Sequence, residues 1–172
     1  EQTAFVNRPE ELVLVDGAAA AIARLNRAGL PVAVITNQGG IAMGYLTEED
    51  LGAIHERLEE LLDEGGAHVN GIYYCPHHAE ATVPAYRIDC PCRKPGIGML
   101  EKARDELGID LSRSVLVGDA TTDVLAGQRA GCFTILVKTG FGGKNGKAEA
   151  APDAIVADLP AAVDLILAGL NG

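Results

Sequence analysis

Residues 31–36, Pro-Val-Ala-Val-Ile-Thr, form an unbroken apolar run that ends on a hydroxyl and leads into Asn37-Gln38. A strand with one wet face would alternate polar and apolar residues. This run does not alternate, so it reads as a strand buried on both faces, the kind found in parallel sheets covered by helices. The neighbouring segments supply those helices. Before the run, Ala18, Ala21, Ile22 and Leu25 lie at helical spacing, and Gly29 is placed to close that helix. After a turn-rich stretch from Asn37 to Gly44, Thr47 stands as an N-cap with acidic residues in the first turn. Leu51, Ile54, Leu58, Leu61 and Leu62 then mark one helical face, which ends near Gly65-Gly66.

The alternation continues. Gly71-Ile72-Tyr73-Tyr74 reads as a short strand entering a loop from Cys75 to Pro95, and Met99, Leu100, Ala103 and Leu107 as a helix capped by Gly108. A strand over 114–118, a helix over 121–130 and a strand over 133–137 follow. Residues 140–152 carry Gly, Lys and Asn and read as a flexible loop, and Leu159, Ala162, Val163, Ile166 and Leu167 as a terminal amphipathic helix. The whole predicts a single α/β domain over residues 1–172, a three-layer Rossmann-like parallel sheet with helices on both faces. Sites in such folds lie at the carboxyl ends of the strands. Aromatics make up only 4% of the chain, so the core must be built from Ala, Val, Leu and Ile. A net charge of −10 argues against general binding to nucleic acid or an anionic membrane, while leaving room for a local basic pocket. No apolar run is long enough to span a bilayer, and a cytoplasmic location is expected. In that setting the four cysteines read as reduced thiols or metal ligands before disulfides.

Polar residues cluster just past the apolar runs. Thr36-Asn37-Gln38 offers a hydroxyl, an amide and backbone N–H groups to a phosphate oxyanion, the alternative being a plain polar turn. Asp119, after Gly118 at a strand tip, and Asp123 in the next helical turn suit Mg²⁺, which takes a few carboxylates plus water and phosphate oxygens. Helix capping and dipole compensation would account for the same two residues. Cys75-Pro76-His77 and, after twelve intervening residues, Cys90-Pro91-Cys92 match a tetrahedral Cys₃His zinc site. His78 is the rival imidazole, and disulfides are the rival use of the thiols. Four protein ligands leave no open position, so the zinc would be structural. Cys132 lies outside this group and reads as core packing. Arg93-Lys94 directly follows the last zinc ligand, where a metal-pinned loop would hold two cations as a phosphate clamp, or leave them as a solvated pair.

Taken in order, Thr36-Asn37-Gln38, Lys94-Pro95 and Gly118-Asp119 with Asp123 resemble the second, third and fourth motifs of the haloacid dehalogenase superfamily. The segments from Tyr73 to His78 and from Cys90 to Pro95 resemble the zinc loop of its branch of D-glycero-D-manno-heptose 1,7-bisphosphate 7-phosphatases. Histidinol-phosphate phosphatases share that loop type. The resemblance runs from about residue 5 to residue 168. It implies a monomeric, Mg²⁺-dependent phosphatase without a large cap domain. Its substrate would be a small phosphorylated sugar, the heptose bisphosphate losing its 7-phosphate, with histidinol phosphate or a catalytically dead phosphosugar binder as alternatives. By matching motif, Thr36 would hold a phosphoryl oxygen, Lys94 would neutralise charge, and Asp119 would ligate Mg²⁺ with Asp123 behind it. Arg93 and Asn37 would meet the substrate.

One motif departs. The superfamily attacks phosphorus with the first aspartate of an Asp-x-Asp pair at the tip of an opening strand, and no Asp-x-Asp occurs in residues 1–172. Asp16-Gly17 follows apolar residues, but Ala18 stands where the second aspartate would be, so Asp16 reads as the N-cap of the first helix. In the resembled fold the motif-bearing strand lies between the strands ending at Thr36 and Gly118. The expectation is therefore an N-terminally shortened form of an active enzyme, inactive by itself and with two strand edges facing each other unpaired.

Overall fold

The computed structural model describes residues 6–144 and 149–170. Residues 145–148 of the Gly- and Lys-rich loop lie outside them. Among the described residues five parallel strands and six α-helices follow one another. They are α1 (Ala18–Arg27), β1 (Ala33–Asn37), α2 (Gly39–Ala42), α3 (Glu48–Glu64), β2 (Gly71–Cys75), α4 (Gly98–Leu107), β3 (Val115–Gly118), α5 (Thr121–Ala130), β4 (Phe133–Val137), β5 (Ala154–Val156) and α6 (Leu159–Gly169). Local chemistry sets several of the boundaries. At the start of α3, Thr47 Oγ1 accepts the Asp50 N–H at 3.1 Å and Asp50 Oδ2 accepts the Thr47 N–H at 2.8 Å. This reciprocal box satisfies two donors that the first turn leaves without helical partners. Gly108 closes α4 at φ +64°, a left-handed conformation open to glycine at little cost.

Three layers result. One side of the strands carries α4, packed on β1 and β2, and α5, packed on β3 and β4. The other carries α6 against β3, β4 and β5, with α1 resting on α6 and α3 on α1. The strands form two separate sheets, β1-β2 and β3-β4-β5, and among the described residues none lies between β1 and β3. Each sheet is in register, Thr36 opposite Tyr74 in the first and Val117 opposite Ile135 in the second. Helices hold the halves together. Ile35 of β1 and Leu116 of β3 pack on one cluster built from Leu100 and Ala126 of α4 and α5, with Leu111 and Cys132. Cys132 is thus a core residue, as its sequence setting implies.

Two sequence expectations change here. The run ending at Thr36 should be buried on both faces, yet every residue of β1 is only half-buried. A parallel strand is sealed by a neighbour on each side, and β1 pairs only with β2. Asp16 is not the N-cap of α1. That position belongs to Gly17 at φ +73°, whose carbonyl accepts the Ala21 N–H at 2.9 Å, so the Asp16 carboxylate falls one residue outside the helix and stays exposed.

Candidate active site and metal centre

The residues singled out above gather at the carboxyl ends of the strands. Thr36 and Asn37 close β1, Cys75 closes β2, and Asp119 follows β3. Lys94 ties the two halves of the molecule together. Its Nζ donates to the Ile35 carbonyl of β1 at 2.7 Å and to Asp123 Oδ1 of α5 at 2.8 Å. The two side chains are only 13% and 10% exposed, so this is a buried ion pair. The pairing lets each charge offset the other's desolvation. Asp123 Oδ2 meanwhile accepts the Ala120 N–H at 3.0 Å. Both Asp123 oxygens are therefore engaged within the protein, which suits a supporting place behind a cation. Gly118 makes this possible, because a Cβ there would run into the Asp123 side chain.

Asn37 has a task that the sequence does not show. Its Oδ1 accepts the Lys94 N–H at 2.9 Å and its Nδ2 donates to the Lys94 carbonyl at 3.1 Å. The amide grips the backbone of the lysine segment from both sides and so fixes where the Lys94 ammonium stands. Beside it, Thr36 Oγ1 accepts from Gln38 Nε2 at 3.2 Å. Across the interval, Asp119 Oδ2 accepts the Phe141 N–H at 2.8 Å.

The four proposed zinc ligands come together. One donor atom each from Cys75, His77, Cys90 and Cys92 lies within 4.8 Å of the others. Cys92 Sγ stands 3.0 Å from Cys75 Sγ, and His77 Nδ1 stands 3.9 Å from Cys75 Sγ. The Cys90 and Cys92 sulfurs are in disulfide contact. A bridge between those two would not require Cys75 and His77 to converge on the same point, whereas a four-coordinate ion does. The donor set and its convergence fit a structural zinc. Burial pushes the Cys75 thiol up, against the lowering pull of the His77 backbone and the Arg93 charge. A bound cation would offset that cost by stabilising the thiolate. The rival imidazole is otherwise engaged, since His78 Nδ1 accepts the Glu80 N–H at 3.0 Å. Protein prepared under reducing conditions without added metal should contain about one zinc per chain by elemental analysis. Cys132→Ser should leave that content unchanged. A disulfide among Cys75, Cys90 and Cys92 in place of the metal would overturn the assignment.

The metal loop also holds Arg93. Its Nη1 donates to the His77 carbonyl at 2.9 Å, and burial lowers its pKa against an opposing pull from Cys75. Arg93 and Lys94 line an open cleft of about 440 Å³ together with His78, Asp89 and Thr122. A second anchor fixes the loop from outside. Glu48 accepts from Tyr74 at 2.6 Å and from Tyr86 at 2.8 Å, joining the start of α3 to the end of β2 and to the middle of the loop. Tyr74 is pushed up to about 12 by that hydrogen bond and, less, by burial, while both phenols lower Glu48. A raised phenol pKa means the folded state holds the proton more tightly. The tether's contribution is thus lost as pH rises from the ordinary value of 10.0 through about 12, and at the acid end as Glu48 takes up its proton. Glu48→Gln should shift tyrosinate formation, followed by ultraviolet absorbance, to lower pH. An unchanged titration curve would show that Glu48 does not hold these phenols.

Comparison with known proteins agrees with this geometry. The HAD-hydrolase-like family model matches residues 91–162. A D-glycero-D-manno-heptose-1,7-bisphosphate 7-phosphatase of Thermosynechococcus vestitus is 40% identical over 174 residues, covering 96% of this chain and 89% of that protein. The D-glycero-beta-D-manno-heptose-1,7-bisphosphate 7-phosphatase of Vibrio cholerae is 41% identical over 137 residues, covering 79% and 74%. Among solved structures, the D,D-heptose 1,7-bisphosphate phosphatase of B. bronchiseptica, complexed with magnesium and phosphate, superposes with a TM-score of 0.86 at 34% identity. That match covers 98% of this chain and 92% of the other. No described helix is long and apolar enough to cross a membrane. With its zinc-ligand quartet, its buried lysine and its strand-tip aspartate in the expected order, the chain belongs to the heptose-1,7-bisphosphate 7-phosphatase family of haloacid-dehalogenase-like hydrolases.

Proposed function

We propose that this chain is the body of a cytoplasmic, monomeric phosphatase that removes the 7-phosphate of D-glycero-D-manno-heptose 1,7-bisphosphate, with no nucleic-acid or membrane partner. The observation that carries this reading is the buried Lys94 ammonium, positioned by Asn37 and Asp123 beside a cleft that also takes in Arg93. A phosphoryl group in transfer needs positioning and charge neutralisation more than covalent help, and fixed cations supply both. In this reading Thr36 donates its hydroxyl to a phosphoryl oxygen and Lys94 neutralises charge on the group in transfer. Asp119 offers a carboxylate oxygen to Mg²⁺, with Asp123 behind it as the partner of Lys94. Bound there, Mg²⁺ would stabilise negative charge on the phosphoryl oxygens. Arg93, held by the zinc loop, meets the end of the substrate that does not react. Asn37 holds the Lys94 segment in place and, with its remaining N–H and lone pair, also meets the substrate.

The chain holds such a group without attacking it, since attack needs a nucleophile and residues 1–172 contain no Asp-x-Asp. Turnover belongs to the form in which an extended segment bearing Asp-x-Asp pairs between β1 and β3. The test gives that form heptose 1,7-bisphosphate and histidinol phosphate in Mg²⁺ and follows phosphate release. Heptose bisphosphate should be hydrolysed at C7 and preferred. Arg93→Ala should weaken KM for the bisphosphate with a smaller effect on kcat, because its partner is remote from the reacting atoms. Preference for histidinol phosphate, or no turnover of either, would overturn the reading.

A further inference from the structure

We infer that the turn following β4, residues 138–144, is a positioning device for Asp119, in which the backbone of Gly140 to Gly143 fixes one carboxylate oxygen and leaves the other to the cation. The inference rests on the reading of Asp119 as a Mg²⁺ ligand. Three separate observations support it. The Phe141 N–H donates to Asp119 Oδ2 at 2.8 Å, and the Gly143 N–H donates to the Asp119 carbonyl at 2.8 Å. The turn therefore grips both the side chain and the main chain of one residue lying more than twenty positions earlier.

The backbone of the turn is specialised for this grip. Gly140, Gly142 and Gly143 have φ of +68°, +54° and +77°. Side chains rarely adopt that region. Space is denied as well. A Cβ on Gly140 would run into Asp119 Oδ2, and one on Gly142 would stand 2.9 Å from the Lys138 carbonyl oxygen. An ordinary surface turn uses glycine for its dihedral angles alone. Here the close approach at Gly140 is to the carboxylate itself. The Phe141 ring, by contrast, is 58% exposed, so this residue contributes its N–H rather than its side chain.

A carboxylate with one oxygen held by a backbone donor has its plane fixed and keeps the other oxygen fully available to a metal. Such outer partners orient ligands and set affinity, and losing one typically costs about 10–100-fold in metal binding. Gly140 and Phe141 act through Asp119 and are positioning residues.

The experiment uses the form paired with an Asp-x-Asp segment and measures Mn²⁺ binding by electron paramagnetic resonance, with Mg²⁺ as competitor. Amide hydrogen exchange at Phe141 and Gly143 is measured beside it. Gly140→Ala should weaken the cation by about tenfold or more and speed exchange at Phe141. Phe141→Ala keeps the N–H and removes only the exposed ring, so it should weaken the cation far less than Gly140→Ala does. Asp119→Asn should abolish most cation binding. Unchanged affinity in Gly140→Ala, with the protein folded, overturns the inference. If that variant does not fold, an affinity loss in Phe141→Ala equal to that of Asp119→Asn overturns it instead, because the side chain would then be what matters. Unchanged affinity in Asp119→Asn would overturn the underlying reading of the site, which is a different failure.

Discussion

Lys94→Met should cost the chain about 3–5 kcal/mol of stability, the usual consequence of stripping one partner from a buried ion pair. The change leaves the Asp123 carboxylate in a place where it is only 10% exposed, and it takes the donor from the Ile35 carbonyl. Against a total stability of about 5–15 kcal/mol for a domain, urea unfolding will register the loss clearly. The same substitution removes the fixed positive charge from the proposed phosphate site. In the form that carries Asp-x-Asp, turnover should fall by at least about 100-fold. The two effects can be separated. Adding Asp123→Asn removes the orphaned charge at little change of shape, so the double variant should recover most of the stability and none of the turnover. Lys94→Met with near-normal turnover would sink the catalytic role. A double variant as unstable as the single one would show that the unpaired charge was not the cause.

The sequence made some parts of this molecule legible because the physics there is local. Thr47 and Asp50 are three residues apart and declare the start of α3, and Gly108 declares the end of α4. Cys75, His77, Cys90 and Cys92 sit on one loop, so their spacing alone suggests convergence. Other parts depend on distant partners. Nothing near Asn37 reveals that its amide will grip a backbone fifty-seven positions away. The grip of Gly140 to Gly143 on Asp119 was hidden for the same reason, although three closely spaced glycines were a visible sign of an unusual turn. β5 escaped because it is three residues long and its central Ile155 is 57% exposed, too short and too wet to show a burial pattern. Asp16 misled by a single residue, since aspartate and glycine are both good N-caps and only the backbone chose between them.

Pairing an extended segment between β1 and β3 should raise stability by several kcal/mol and, if it carries Asp-x-Asp, switch on Mg²⁺-dependent turnover. The argument begins with the edges. Among the described residues β1 is hydrogen-bonded only to β2, and β3 only to β4, although Ile35 and Leu116 rest on one shared cluster. Strands of a covered parallel sheet are normally buried on both faces, yet all nine residues of β1 and β3 are half-buried. A strand between them would gain hydrogen bonds along both edges, each worth about 0.5–1.5 kcal/mol net. It would also bury apolar surface on the two helix layers that already span the interval. Its carboxyl end would lie beside the Lys94 ammonium and Asp119, at the proposed phosphate site. The chain of residues 1–172 should be compared with two extended forms, one bearing Asp-x-Asp and one bearing Asn-x-Asn at the same place. Both extensions should unfold at higher urea than the chain alone, since sheet completion does not need the carboxylates. Only the first should release phosphate, since chemistry does. Turnover by residues 1–172 alone would refute the need for the missing nucleophile, and extensions that leave the urea midpoint unmoved would refute the pairing.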